Sequence, residues 1–191
     1  MVTPSKNQSG QFAFGAPGAL SNSFGTPVHN VSALEPDLQV IFKGLQKRDA
    51  TTRVKAVEDL VQNSGKLLED LPEASVDPFV GAFMGLYPTL AIDVDRKVRA
   101  NVHAIVGMLV RAYKKRTVRQ LADCAPYWQL GLHDSDRTVS KAAADALTMA
   151  FPTSEKQTEF KKLFSVATVG RCIELALDED ASSLSDSRFR Y

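Results

Sequence analysis

The chain has 191 residues, of which 44% are hydrophobic, and its formal net charge is +1. The length and apolar content allow one ordinary domain or several stacked repeats, whereas the near-neutral charge gives no global reason to expect a nucleic-acid or membrane partner. Two cysteines far apart in sequence argue against a secreted disulfide scaffold and favour a reducing compartment.

Residues 1–32 differ in composition from the rest of the chain. They are rich in glycine, proline, serine and asparagine, and Lys6 is their single charged residue. Such a segment cannot bury enough apolar surface to offset the entropy of ordering it, so we predict a disordered tail. Phe14 and Phe24 are each followed by glycine. These pairs are either incidental or a short docking motif, and the sequence leaves both alternatives open.

The sequence from 33 to 178 has the periodicity of amphipathic helices, with proline at the expected joints. No stretch alternates apolar and polar residues like a strand, and no hairpin-type Asn-Gly or Asp-Gly pair occurs. We therefore predict an all-α domain at 33–178 and a frayed polar segment at 179–191. No apolar run approaches the roughly 18 residues of a transmembrane helix, and the N-terminus lacks the order of a signal peptide.

Three similar segments recur along the predicted domain. They read DATTRV, DVDRKV and DSDRTV, and they end at Val54, Val98 and Val139. Their spacings of 44 and 41 residues match the period of HEAT-type helical pairs. The sequence therefore predicts a HEAT/ARM-like α-solenoid of about three repeats plus capping helices. The third residue before each valine is predicted to cap the second helix of its pair, which gives the caps Thr51, Asp95 and Asp136.

The periodicity also places the individual helices. They are predicted at 36–47 and 52–64, at 76–90 and 96–113, and at 115–132 and 137–150, with one or two capping helices between 154 and 178. The second helix of each pair carries one apolar stripe, and adjacent pairs must cover one another's stripes to build a continuous core. The stripe of the third repeat is rich in alanine, which should let the neighbouring helices approach closely.

The acidic pairs Asp93/Asp95 and Asp134/Asp136 could in principle serve general acid–base catalysis. They recur at the repeat period, and the first copy has threonine in place of the second acid. Capping tolerates that exchange and catalysis does not, so we interpret the pairs as turns and helix caps.

The other candidates for chemistry also favour structural roles. The histidines His29, His103 and His133 lack metal-ligand spacing, and nothing near Cys124 would activate its thiol. The Tyr127–Trp128 pair is either a binding hot spot or, as we favour, part of the helix packing. We predict no catalytic residue, no metal site and no cofactor in this chain.

Basic residues cluster where the second predicted repeat meets the third. No acidic residue occurs from Arg96 to Arg119. Such a cluster is either a solvated face or a contact for the phosphates of structured RNA. The candidate RNA contacts are Arg111, Lys114, Lys115, Arg116 and Arg119, and a secondary basic patch comprises Lys47, Arg48, Arg53, Lys97 and Arg99.

Three stretches resemble the N-terminal domain of the listerin family of RING-type E3 ubiquitin ligases. They are LQKRDATT (Leu45 to Thr52), IDVDRKVR (Ile92 to Arg99) and WQLGLHDSDRTV (Trp128 to Val139), and the resemblance covers about 33–160. It implies a non-catalytic domain of a long solenoid whose zinc-binding RING lies at the far C-terminus. It also implies docking on large (60S) ribosomal subunits that carry stalled peptidyl-tRNA, in ribosome-associated quality control.

The partners that the resemblance implies are the large subunit, through ribosomal RNA or a ribosomal protein, and the quality-control cofactor that binds the exposed tRNA. The implied location is the cytosol, and we expect a monomer without a membrane partner. The alternative is a general HEAT-repeat interaction module of the tubulin-binding or transport-receptor kind. Tubulin-binding arrays of this type carry an aromatic residue in the first intra-repeat turn, and QKRDATT has none.

Overall fold

The computed structural model describes residues 31–178, and every regular element in that range is helical. After the 3-10 helix Val31–Ala33 come α1 (Pro36–Leu45), α2 (Ala50–Asp70), α3 (Glu73–Leu90), α4 (Arg96–Tyr113), α5 (Val118–Gly131), α6 (Arg137–Ala150), α7 (Ser154–Leu163) and α8 (Ser165–Leu177). The predictions for 1–32 and 179–191, including the Phe-Gly pairs, lie outside the described residues, except that Val31 and Ser32 open the 3-10 helix.

The helices stack in two layers. The pairs α1/α2, α3/α4 and α5/α6 each pack together, and the second helices form a continuous layer in which α2 contacts α4 and α4 contacts α6. In the other layer α3 contacts α5, and α8 closes this end by packing on α5. Stacked helical pairs around one core confirm the predicted all-α solenoid.

Aspartates cap the second helix of every pair. The carboxylates of Asp49, Asp95 and Asp136 accept hydrogen bonds from backbone N–H groups in the first turns of α2, α4 and α6. The prediction of Thr51 is therefore corrected to Asp49, because α2 already begins at Ala50 and Thr51 lies inside it. The Asp49 carboxylate binds both the N–H and the hydroxyl of Thr52, each at 2.7 Å, which fixes the earlier start.

The caps also correct the register of the repeats. The three capping aspartates are 46 and 41 residues apart. The alignment on the three valines therefore misplaces the first repeat by two residues relative to the other two. Burial supports the register of the caps, since the seventh and eleventh residues after each cap are buried in all three helices. These residues are Ala56 and Leu60 in α2, Val102 and Val106 in α4, and Ala143 and Leu147 in α6.

Helices α4 and α6 approach each other closely. A Cβ atom placed on Gly107 would lie 2.8 Å from both Cα and Cβ of Ala146. Two backbones can come this near only where both side chains are small. The alanine-rich stripe of α6 thus has the consequence expected from the sequence.

The only tryptophan belongs to the core. Trp128 is fully buried, and its indole N–H donates to the carbonyl oxygen of Ala143 at 3.0 Å. Its ring meets that of Phe160 edge to face, with centroids 5.5 Å apart, which fastens α7 to the repeats. This geometry agrees with the packing interpretation of Trp128.

Two further polar candidates are also structural. His103 is fully buried, with Nδ1 2.8 Å from the hydroxyl oxygen of Tyr87, and burial lowers the pKa of its imidazole to about 4. Burial raises the pKa of the Cys124 thiol far above its ordinary range, and the Sγ atom lies 3.3 Å from the carbonyl oxygen of Met84. A neutral histidine and a protonated thiol are suited to packing.

Residues 31–178 contain neither a membrane span nor a metal-binding cluster. No helix in this range combines the length and the apolar character needed to span a bilayer. In the same range no three His, Cys, Asp or Glu side chains are grouped so that they could hold a metal ion.

Candidate nucleic-acid interface

The predicted RNA contacts surround a short turn between α4 and α5. The 3-10 helix Lys114–Thr117, here called the basic turn, follows Tyr113 directly and leads into α5 at Val118. Thr117 is fully buried, and its hydroxyl donates to the carbonyl oxygen of Lys114 at 2.7 Å. The N–H of Lys114 donates to Val110, and the N–H of Val118 donates to Lys115. The basic turn is therefore anchored at both ends.

The backbone of Lys114 has an unusual conformation. Its φ of 40° is positive, and among the described residues Lys114 is the only non-glycine residue with a positive φ. A β-carbon makes this region unfavourable, at a cost on the order of 1–3 kcal/mol. Glycine would adopt it without that cost, so the chain carries a lysine where the backbone favours glycine.

Four of the five predicted contacts are available to a partner. Arg111, Lys114, Lys115 and Arg119 are exposed. Within residues 31–178 none of these four side chains forms an ion pair or a hydrogen bond. Arg111 lies in the last turn of α4, where the partial negative charge of the helix end favours a cation. The four exposed cations thus lie on or beside a well-anchored turn.

Arg116 differs from the other four. Its guanidinium forms an ion pair with Glu73 and a second with Asp77, whose carboxylate oxygen is 3.6 Å from Nε. Both acids come from the first two turns of α3, so they lie some forty residues away in sequence. The structure therefore brings Arg116 to the predicted surface but engages its charge within the domain.

The secondary basic patch is not a single surface, because two of its arginines hold the repeats together. Arg53 is fully buried, and its Nε and Nη2 atoms bind the two carboxylate oxygens of Asp93 at 2.7 and 3.0 Å. Its Nη1 atom donates to the carbonyl oxygens of Lys47 and Arg48. Arg53 is thus not an exposed patch residue, since its position on α2 points it at the next repeat.

Arg99 repeats this arrangement one pair further along the stack. It binds both carboxylate oxygens of Asp134, at 2.8 and 3.1 Å, and donates to the carbonyl oxygens of Asp93 and Val94. Burial alone would raise the pKa of Asp134, but hydrogen bonds from Arg99 and from the N–H of Asp136 outweigh burial and lower it. Arg99 is therefore also removed from the proposed patch.

The remaining members of the secondary patch differ in whether their charge is paired. Lys97 forms an exposed ion pair with Glu58, 3.3 Å apart. Lys47 and Arg48 are exposed, and no ion pair from another described residue reaches either side chain. Lys47 and Arg48 therefore remain exposed cations, as do the four residues on and beside the basic turn.

Stacked helical pairs joined by arginine–aspartate contacts define a helical-repeat protein of the α-solenoid class. Within that class, the family model described as "E3 ubiquitin-protein ligase listerin, N-terminal domain" matches residues 31–190. The chain therefore belongs to the listerin N-terminal domain family.

Relatives named "E3 ubiquitin-protein ligase listerin" are similar over most of the chain. The Neurospora crassa protein is 32% identical over 94% of this chain, and the Schizosaccharomyces pombe protein is 32% identical over 84% of it. The Saccharomyces cerevisiae protein is 30% identical over 80% of the chain. The matched region spans only 10–11% of the length of these relatives.

Proposed function

We propose that this chain is a non-catalytic domain that docks a listerin-type E3 ubiquitin ligase on large ribosomal subunits carrying a stalled nascent chain. The observation that carries the proposal is the group of four exposed cations on and beside the basic turn, which have no acidic partner among the described residues. These are Arg111, Lys114, Lys115 and Arg119. Because the matched region is about a tenth of each relative, we assign ubiquitin transfer and the zinc-binding RING to a part of the protein outside this domain.

The chemistry that suits this surface is the phosphate backbone of structured ribosomal RNA. Cations that neutralise phosphates release counterions, which drives binding without reading sequence. Contacts of this kind fix the position and orientation of a protein, and a rigid solenoid would pass that orientation on to the rest of the ligase. The bound ligase would then mark the stalled chain for degradation in the cytosol, beside the cofactor that recognises the exposed tRNA.

Co-sedimentation of the chain with purified large subunits tests the proposal. The variant Lys114→Glu/Lys115→Glu/Arg119→Glu reverses three exposed, unpaired charges. The control Lys156→Glu/Lys161→Glu/Lys162→Glu makes the same change in net charge on α7, where the lysines are also exposed. We expect the first variant to lose most of its binding and the control to keep it, while both keep the thermal stability of the wild-type chain to within a few degrees. Equal binding by both variants would remove the basic turn from the proposal.

A salt series separates RNA from protein contacts. If four cations each meet a phosphate, the logarithm of the binding constant should fall with the logarithm of salt concentration with a slope of about −3 to −4. Binding that changes little with salt would indicate an apolar protein contact instead. A pull-down that enriched tubulin over ribosomes would favour the general protein-interaction module.

A further inference from the structure

The ion pairs of Arg116 restrain a turn whose backbone is strained. Lys114, with φ of 40°, begins the basic turn, and Arg116 is the residue that ties the turn to α3 through Glu73 and Asp77. The hydroxyl of the buried Thr117 donates to the carbonyl oxygen of Lys114 within the same turn. The turn is thus held between the core and α3, and the side chains of Lys114 and Lys115 are exposed.

A strained backbone conformation persists only where several surrounding contacts hold it in place. Such positions cluster at ligand-binding sites. A glycine at position 114 would remove the strain but also the cation. A free, relaxed turn would keep the cation but lose its orientation, and a contact that must first be ordered binds more weakly. The arrangement therefore has a physical rationale if Lys114 and Lys115 must be presented in one orientation.

We propose that Arg116 is a positioning residue, and that its ion pairs with α3 hold the basic turn so that Lys114 and Lys115 meet the RNA backbone. This inference rests on the proposed function. It reduces the set of direct RNA contacts from the five cations predicted from sequence to four. Arg111, Lys114, Lys115 and Arg119 are contacts, whereas Arg116 acts through its neighbours. The acids of α3 then support RNA binding even though their own charge repels phosphate.

A charge swap tests the positioning role. Arg116→Glu breaks both pairs and is expected to weaken co-sedimentation with large subunits about fivefold. Adding Glu73→Arg and Asp77→Asn rebuilds one ion pair with reversed polarity and is expected to return binding to within about twofold of wild type. A residue that touched phosphate directly could not be replaced in this way, because position 116 would still carry a negative charge.

A matched control separates the ion pair from the added charge. The variant Arg116→Gln/Glu73→Arg/Asp77→Asn carries the same new arginine, but its glutamine cannot pair with it. We expect this variant to stay weak. The inference is overturned if both triple variants recover binding, since local charge alone then suffices, or if neither recovers.

A readout without ribosomes completes the test. Hydrogen–deuterium exchange should quicken at the N–H of Val118, which is bonded across the turn to Lys115, in Arg116→Gln and return to the wild-type rate in the charge swap. Exchange that does not respond to Arg116→Gln would also overturn the positioning role. Failure of these tests leaves the proposed function standing as long as Lys114→Glu/Lys115→Glu/Arg119→Glu still loses binding and its α7 control does not.

Discussion

Replacing Asp93 by alanine should destabilise the domain more than any single surface change. The substitution removes both hydrogen bonds from Arg53 and the one that Asp93 accepts from the N–H of Asp95 at 2.9 Å. The side chains of Arg53 and Asp93 are both fully buried, so the guanidinium would stay in the core without a counter-charge. Breaking a buried pair from one side costs about 3–5 kcal/mol, a large part of the 5–15 kcal/mol that is typical of a whole domain.

Urea unfolding followed by circular dichroism measures this loss. The control Asp136→Ala removes the helix cap of α6. The Asp136 carboxylate forms an ion pair with the exposed Arg96, and its loss should cost about 1 kcal/mol. Asp134→Ala should fall between the two, because its pair with Arg99 is partly exposed. If Asp93→Ala cost no more than Asp136→Ala, the buried pair would not be holding the first two repeats together.

Three further predictions concern single positions. Lys114→Gly should raise the free energy of unfolding by about 1 kcal/mol by relieving the positive φ while weakening co-sedimentation with large subunits. The pKa of His103 is lowered to about 4 by burial. The unfolded chain therefore binds the proton more tightly, and stability should fall by roughly 2–3 kcal/mol as pH drops from 7 to 4.5. That loss should be smaller in His103→Gln during urea titrations at each pH. Gly107→Ala should lower the melting temperature, because its Cβ would meet the backbone of Ala146 at 2.8 Å, at a cost of about 1–3 kcal/mol. The matched Gly65→Ala has open space around its Cβ and should raise the melting temperature slightly.

The repeat architecture could be predicted from sequence because local sequence patterns determine the helices and their caps. Helical periodicity and a recurring Asp signal gave the number of pairs and the caps at Asp95 and Asp136. The first repeat was placed two residues out because Asp49 and Thr51 are both cap-type residues, and local sequence does not say which one ends the turn. The structure decides through the Asp49 carboxylate, which reaches the N–H of Thr52.

The charged site was harder to predict because partners lie about forty residues apart. From the sequence, Arg53 and Arg99 were predicted to be surface cations. In the structure each binds an aspartate in the turn of the next repeat. A signal was present, since both arginines stand four residues after a capping aspartate and both partners stand two residues before the next one. Aligning the repeats on their capping aspartates, rather than on the valines, would have revealed this spacing. No comparable sequence pattern predicts which acids of α3 form ion pairs with Arg116.

The acid-free stretch from Arg96 to Arg119 therefore serves two purposes at the two ends of one helix. At the N-terminus of α4, Arg96 and Arg99 bind aspartates in the turn between α5 and α6. At its C-terminus, the side chains of Arg111, Lys114 and Lys115 are cations without ion-pair partners among the described residues. The helix has 18 residues, so about 27 Å separates its ends, more than twice the distance over which salt screens a charge. The stacking arginines and the exposed cations are thus electrostatically independent, and a partner can neutralise the basic turn without disturbing the contacts that hold the repeats together.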